Sequence, residues 1–448
     1  MPANFPPKAR RRAPSPLRLR CFSVKVLFTT FGSFGDLHPY LAIGAELCRL
    51  GHSASIGASA AYREKIQAQG LGFEPIRPDV SLGDSEIIPY FFDQARGTER
   101  VIRAMASVIR ETYEDTAAAA RRYDALVTHP LSFAAVMVAE KRKMPWISSV
   151  LAPGSFLSAY DPPVPAPYPW LVKVRALGPR AMRALWRLLS PISLRWMQPI
   201  LELRRELGLP WRGNPLFEGA HSPELVLALF SRAFAQPQPD WPKQTVVAGF
   251  PFHDAPSGFE SELAPELASF LDSGPPPVVF TLGSSAVAAA GDFYTVSLRA
   301  VERVGARALF LTGPHPQALP DQLPPGVLAW PYAPHERVFP RSAAIVHHGG
   351  IGTTAQALRS GRPMLVVPFA HDQFDNADRA RRLGAAKVVA RRKYSEHIAA
   401  DSLLRLLSES QCRASAEKIG HAIRRENGAQ TAAAEIRRLL IHHGAKER

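Results

Sequence analysis

The feature that most constrains this chain is a rhythm, met twice, in which short apolar, β-branched runs alternate with stretches long enough for a helix. Val24 to Thr29, Ser53 to Gly57, Ala125 to Thr128 and Trp146 to Val150 form the first series. Thr245 to Gly249, Val278 to Leu282, Ala308 to Thr312, Ala344 to Val346 and Met364 to Val367 form the second. Parallel strands need helical crossovers, so this alternation predicts parallel α/β folding. A helix is expected from about Tyr40 to Leu50, with Gly51 and His52 turning the chain into the second strand.

At 448 residues the chain exceeds the size at which single cores stop growing, so two Rossmann-like halves facing across a cleft are expected. Pro-rich segments at 161–169 and 236–242 punctuate the middle, and the second reads as the interdomain linker. The expected organisation is a disordered basic tail at 1–21, an N-terminal domain at 22–240 and a C-terminal domain at 241–448. Ligands in such sheets bind outside the carboxyl ends of the strands.

Charge narrows the partners. Lys plus Arg number 54 against 39 Asp plus Glu, a net of +15. Part of the excess lies in residues 1–20 and part between Trp170 and Glu206, and neither place shows interleaved aromatics on a strand or a zinc-binding spacing, which argues against nucleic acid. Cys21, Cys48 and Cys412 are scattered and form no CxxC pair, which fits a reducing cytoplasm. The basic N-terminus is not followed by an apolar stretch long enough for a signal peptide, because Gly32, Ser33 and Asp36 interrupt it, and no run of about 18 apolar residues occurs, so neither a signal peptide nor a membrane span is expected.

The densest chemical signal is His347-His348-Gly349-Gly350-Ile351-Gly352-Thr353-Thr354, followed by Gln356 and, after the next strand, His371-Asp372-Gln373. Glycines and threonines at a strand-to-helix junction offer free N–H groups, hydroxyl donors and a positive helix terminus, a combination suited to pyrophosphate. His348 can add a charge-assisted bond. A lone glycine pair would mean only a tight turn; the combined motifs favour a ligand.

A second glycine loop, Gly32-Ser33-Phe34-Gly35-Asp36-Leu37-His38-Pro39, follows the first strand. By itself it fits either a phosphate cradle or a catalytic base. Asp36 can also cap a helix starting near Pro39.

The stretch from Tyr332 to Ala385 resembles the donor site of GT-B fold nucleotide-sugar glycosyltransferases, the family holding plant and bacterial UDP-glycosyltransferases. Nearest in pattern is the rhamnosyltransferase branch that serves rhamnolipid synthesis, with sterol and antibiotic glycosyltransferases further off. The likeness runs over nearly the whole chain after residue 22, through Gly249-Phe250-Pro251, Gly291-Asp292-Phe293-Tyr294 and His371 to Ala377.

The resemblance implies an inverting, metal-independent transferase of α/β, GT-B fold, with an acceptor-binding first domain and a donor-binding second one. No clustered Asp-x-Asp faces the cleft. Tyr332 would stack on the nucleobase and His335 lie at its edge. His348 would meet the diphosphate, cradled by Gly350, Gly352, Thr353 and Thr354, with Gly283, Ser284 and Ser285 closing from the other side. Asp372 and Gln373 would hold sugar hydroxyls. Where many relatives carry a ribose-binding glutamate this chain has Gln356, a weaker acceptor, which brings a dTDP-linked donor forward beside a UDP-linked one. Asp36 would be the base that takes the acceptor proton, with His38 its rival.

Plant relatives orient a catalytic histidine with an aspartate after a later strand. The matching stretch here, Val127-Thr128-His129-Pro130, has no acid, so that dyad is absent or replaced. His129 is expected to face the acceptor. Met182, Leu185, Trp186 and Leu189 share one helix face, with Arg180, Arg183 and Arg187 on another stripe. In the family this segment walls the acceptor pocket, which makes Trp186 an acceptor residue.

The expected function is transfer of a sugar, leading case dTDP-L-rhamnose, to a hydroxyl of a lipophilic acceptor, in the cytoplasm and open to peripheral contact with an anionic membrane. No cofactor beyond the nucleotide sugar is expected. The alternatives are a UDP-glucose-dependent enzyme of small aglycones, a non-catalytic nucleotide-sugar or lipid-binding protein, and a GT-B epimerase.

Overall fold

A computed structural model describes residues 23–79, 87–254, 263–313 and 319–446. The tail expected at 1–21 lies outside the described residues.

The first sheet contains β1 (Lys25–Thr29), β2 (Ser53–Ala58), β3 (Gly72–Pro75), β4 (Ala125–Thr128), β5 (Trp146–Val150), β6 (Val226–Ala228) and β7 (Thr245–Val247), in spatial order β3-β2-β1-β4-β5-β6-β7. The second contains β8 (Val278–Thr281), β9 (Ala308–Leu311), β10 (Val327–Trp330), β11 (Ala344–His347), β12 (Met364–Val366) and β13 (Ala386–Val388), in order β10-β9-β8-β11-β12-β13. All pairings are parallel. The central strands are buried, as their unbroken apolar runs require when helices cover both faces: Val26, Leu27, Phe28, Val279 and Phe280 have no exposed surface.

The helices that matter to the site are α1 (Phe34–Arg49), α2 (Gly97–Ser107), α3 (Gly178–Trp196), α4 (Gln198–Glu206), α5 (Ile351–Ser360), α6 (Gln373–Arg382) and α7 (Gly428–Lys446). Strand order reverses between β1 and β4 in one sheet and between β8 and β11 in the other, and at such switch points a crevice opens outside the strand ends. Thr29 pairs with Thr128, and Thr281 with His347, so the loops that leave each pair emerge side by side.

Two boundaries differ from expectation. The first sheet runs past residue 240, because β7 pairs with β6 and completes it; the chain crosses over afterwards, through Gly249 at φ +96°. The last helix then crosses back, since Ala432, Ala433, Ile436 and Leu440 of α7 bury their apolar face in the first domain's core with Leu37, Leu41 and Ile43 of α1. The helix expected near Tyr40 starts at Phe34, so Asp36 is its third residue and not its cap. Pro39 lies inside that helix, at the cost of one backbone hydrogen bond.

The Pro-rich segment at 161–169 docks the domains together. Arg379 is buried between Asp375 and Asp161, Val164 N–H donates to Asp375 Oδ1 at 3.2 Å, and Arg175 Nη1 donates to Asp378 Oδ2 at 3.1 Å. Charges this buried are costly unless paired, and here both carboxylates that face Arg379 pair with it.

Candidate functional site

The loop after β1 is shaped around one carboxylate. Ser33 caps α1, accepting from Gly35 N–H at 3.1 Å, while Asp36 Oδ2 reaches back to accept from Ser33 N–H at 2.7 Å and Ser33 Oγ at 3.1 Å. This capping box satisfies two orphan N–H groups and is worth about 0.5–2 kcal/mol. Gly32 sits at φ +106°, and a Cβ there would lie 2.4 Å from Asp36 Oδ2. Glycine is therefore needed at 32 both for the turn and for the carboxylate.

The other carboxylate oxygen is held from the neighbouring loop. His129, the first residue after β4, places Nε2 3.2 Å from Asp36 Oδ1, and its Nδ1 accepts from Leu131 N–H at 3.1 Å. Because Nδ1 is an acceptor, the ring proton sits on Nε2 and points at Asp36. The dyad that the sequence left as absent or replaced is present with its members exchanged: the acid is on the first loop and the histidine on the later one. The missing signal was strand order, since only the β1–β4 adjacency brings positions 36 and 129 together. His129 is 8% and Asp36 29% exposed, so the pair is shielded on one side and open on the other.

His38, the rival base, turns elsewhere. Its ring stacks on Phe34 at 5.4 Å and lies 5.4 Å from His253, and Nε2 is buried without a hydrogen-bond partner. Burial, with Lys65, His253 and His335 nearby, pushes it down to about 3, so it is neutral at physiological pH.

Across the cleft, the loops after β8 and β11 converge on His348. A Cβ on Gly350 would lie 2.4 Å from its Nε2, and a Cβ on Gly283, which adopts φ +65°, would lie 2.8 Å from its Cε1 and 3.4 Å from Thr353 Oγ1. The imidazole is thus wedged between two glycines, with its Nδ1 buried and unpartnered. Burial, with His335 nearby, pushes it down to about 3, so the ring is a neutral donor and not the cation the sequence suggested. Ser284 and Ser285 are half-exposed in the turn beyond Gly283. Gly350 caps α5, and Gly352, Thr353 and Thr354 form its first turn; Thr354 Oγ1 and Gln356 Oε1 are buried without partners.

The first turns of α1 and α5 meet: a Cβ on Gly352 would lie 3.4 Å from Gly35 Cα. One positive helix terminus from each domain therefore points into the same crevice.

In the 368–373 loop the two expected sugar ligands part company. Gln373 is 3% exposed and its Oε1 already accepts from Phe369 N–H at 2.9 Å and Ala370 N–H at 3.0 Å, so its carbonyl serves the loop. Asp372 accepts from Asn376 Nδ2 at 2.7 Å, and Asn376 Nδ2 also donates to Gly349 O at 3.0 Å, tying this loop to the His348 turn. Burial, opposed by that bond and reinforced by Asp36 and Asp375, pushes Asp372 up to about 7. His371, not assigned a role from sequence, holds a left-handed backbone at φ +55° and packs edge-on against Phe92 beside Thr98 of α2. For a non-glycine residue this conformation costs energy and is typical of functional loops.

Tyr332 stands 58% exposed beyond β10, at the strand end where a base could reach its ring. His335 stacks on Phe339 at 4.3 Å and is pushed down to about 4 by burial. On the other side of His129, a cavity runs between Phe133, Met137, Ile200, Arg204 and Gly213. Trp186 lies half-buried on the inner face of α3 with its Nε1 unpartnered, and does not line that cavity.

Comparison with known proteins fits this geometry. Residues 26–160 match the glycosyltransferase family 28 N-terminal domain, and residues 307–442 match the erythromycin biosynthesis protein CIII-like C-terminal domain. The chain is 29% identical over 427 residues to the O-mycaminosyltylonolide 6-deoxyallosyltransferase of Streptomyces fradiae, covering 91% of this chain and 96% of that one. It is 25% identical over 450 residues to the sterol 3-beta-glucosyltransferase of Leptosphaeria maculans, covering 96% of this chain but only 29% of that longer protein. Among solved structures, the glycosyltransferase VinC in complex with dTDP aligns with a TM-score of 0.67 at 21% identity, over 93% of this chain and 100% of its own. The chain has the GT-B fold, and its two matched segments are each similar to a domain of known glycosyltransferases.

Proposed function

We propose that this protein is a glycosyltransferase that moves a 6-deoxyhexose, leading case L-rhamnose, from a dTDP donor to a hydroxyl of a lipophilic acceptor, with inversion at the anomeric carbon. The observation that carries the reading is the Asp36–His129 pair, set at the switch point of one sheet and facing, through the contact of α1 with α5, the helix terminus and His348 turn of the other.

The residues divide the work as follows. The diphosphate lies against the first turn of α5, with N–H groups of Gly350 and Gly352, the Thr353 and Thr354 hydroxyls and the His348 ring as donors, and Gly283, Ser284 and Ser285 opposite. Tyr332 stacks on the base, with His335 at its edge. Asp372 receives a sugar hydroxyl. The acceptor oxygen attacks the anomeric carbon as the bond from that carbon to the phosphate oxygen breaks; the hydroxyl proton passes to Asp36 and dTDP departs with the bonding electrons. His129 keeps the carboxylate aimed by donating to Oδ1. Helix terminus and neutral donors meet the leaving group's charge, so the reading needs no metal ion.

The donor choice is supported by Gln356, whose amide accepts less strongly from a ribose 2′-hydroxyl than a carboxylate would, and by the dTDP held in VinC. The Streptomyces fradiae relative is named for a 6-deoxyhexose. The alternative, a glucose donor, is favoured by the sterol glucosyltransferase relatives, which also fit a lipophilic acceptor. Incubating the enzyme with dTDP-L-rhamnose or UDP-glucose and a panel of hydroxyacyl and sterol acceptors, with mass spectrometry of products, tests the reading. Rhamnosylated lipid with the inverted anomer is expected; product only from UDP-glucose would overturn the donor assignment.

A further inference from the structure

α3 buries one face and leaves an unexplained second one. Met182 and Ser193 are buried and Leu185, Trp186 and Leu189 half-buried, which accounts for the inward stripe. Outward, residues 180, 183, 184, 187, 188, 191, 192 and 195 are all exposed, a continuous strip at helical spacing. That strip holds Arg180, Arg183, Arg187 and Arg195, yet it also holds Leu188, 73% exposed, and Ile192, 47% exposed; Leu177 and Trp170, just before the helix, are 72% and 61% exposed. A face meant only for water would not interleave large apolar side chains with its arginines.

Charge identifies what covers it. From Trp170 to Leu201 the sequence has Lys173, Arg175, Arg180, Arg183, Arg187 and Arg195 and no acidic residue. Arg175 is engaged with Asp378, and Arg183 donates to the Tyr160 hydroxyl at 2.9 Å. Among the described residues Lys173, Arg180, Arg187 and Arg195 form no ion pair. Uncompensated cations around protruding Leu, Ile and Trp match a surface with phosphate anions above and hydrocarbon below.

We propose that the outer face of α3, with Trp170 and Leu177 beside it, docks on an anionic lipid bilayer, the apolar side chains entering the interface and the arginines meeting phosphates. This goes beyond the catalytic reading and does not depend on it. No helix of the described residues is long and apolar enough to cross a membrane, so the contact is peripheral.

The test is co-sedimentation of the full chain with phosphatidylcholine vesicles prepared with and without phosphatidylglycerol, without sugar donor or acceptor, so a failure here leaves the catalytic assignment standing. Binding is expected only to the anionic vesicles and to weaken with salt. Each of Arg180→Gln and Arg187→Gln should lower partitioning roughly fivefold. Leu188→Ser should also weaken it, with the melting temperature unchanged in all three. Three results would overturn the proposal: equal sedimentation with both vesicle types or none, variants that bind like the parent while Arg10→Gln, Arg11→Gln and Arg12→Gln together abolish binding, or a dimer in solution that Leu188→Ser dissociates.

Discussion

Asp36 Oδ1 lies 3.2 Å from His129 Nε2, while Asp36 Oδ2 is held by the Ser33 N–H at 2.7 Å. Each oxygen thus has its own donor, one from the helix cap and one from the next strand's loop. If His129 positions the base, His129→Asn, which can still donate to Oδ1, should keep much of the activity that His129→Leu loses. The loss should appear in kcat more than in KM for the donor, and it should be smaller than that of removing the carboxylate. Equal rates for the two variants would make His129 merely structural.

The wedge around His348 can be closed without touching the ring. Gly350 has an ordinary φ of −59°, so Gly350→Ala strains no backbone, yet its Cβ would arrive 2.4 Å from Nε2. The ring must move. His348→Ala should weaken dTDP binding by about 10- to 150-fold, the worth of a hydrogen bond to a charged group, and Gly350→Ala should weaken it in the same direction. Calorimetric titration with dTDP measures both.

Asp372 carries a signature in stability. Its carboxyl is pushed up to about 7 in the fold against about 3.9 in an unfolded chain, so between these values the folded state keeps a proton that the unfolded state has shed. Stability from this group is therefore full below about pH 4, falls as pH rises to about 7, and is level above. Asp372→Asn, which preserves the acceptor for Asn376, should remove that decline. Melting curves of parent and variant that stay parallel from pH 4 to 8 would contradict the shift.

Gln356 tests the donor base. Thermal shifts should be larger with dTDP than with UDP, and Gln356→Glu should narrow or reverse that preference by restoring a strong acceptor for ribose hydroxyls. Indifference of both proteins to the nucleotide would remove Gln356 from the donor argument.

Most of the architecture was legible because the central parallel strands are buried on both faces and read as unbroken apolar runs. β4 and β5 fall where their runs predict. The short strands β3, β10 and β13 did not show, being only three or four residues long and interrupted or flanked by glycine, proline or charge, while β6 went unread although it lies in the apolar run from Leu225 to Phe230. The boundary at 240 came from proline content, which marks extended chain but cannot tell a linker from the approach to a last edge strand. Among site residues, the His348 turn was readable because strand, glycines and helix lie in one local stretch. The Asp36–His129 pair was not, since 93 residues separate its members and only strand order joins them. Gln373 misled for a related reason: its partners are the backbone N–H groups of its own loop, which no side-chain motif displays.

Asp36→Asn isolates the central claim. Asn keeps an oxygen for the Ser33 N–H, so the cap and the fold should survive, while the proton acceptor is lost. The measurement is single-turnover transfer beside dTDP affinity on the same preparation. Transfer should fall by about 10²- to 10⁴-fold with dTDP binding unchanged. Transfer at the parent's rate by a folded, donor-binding Asp36→Asn would contradict the account, because the proton would then leave the acceptor by another route.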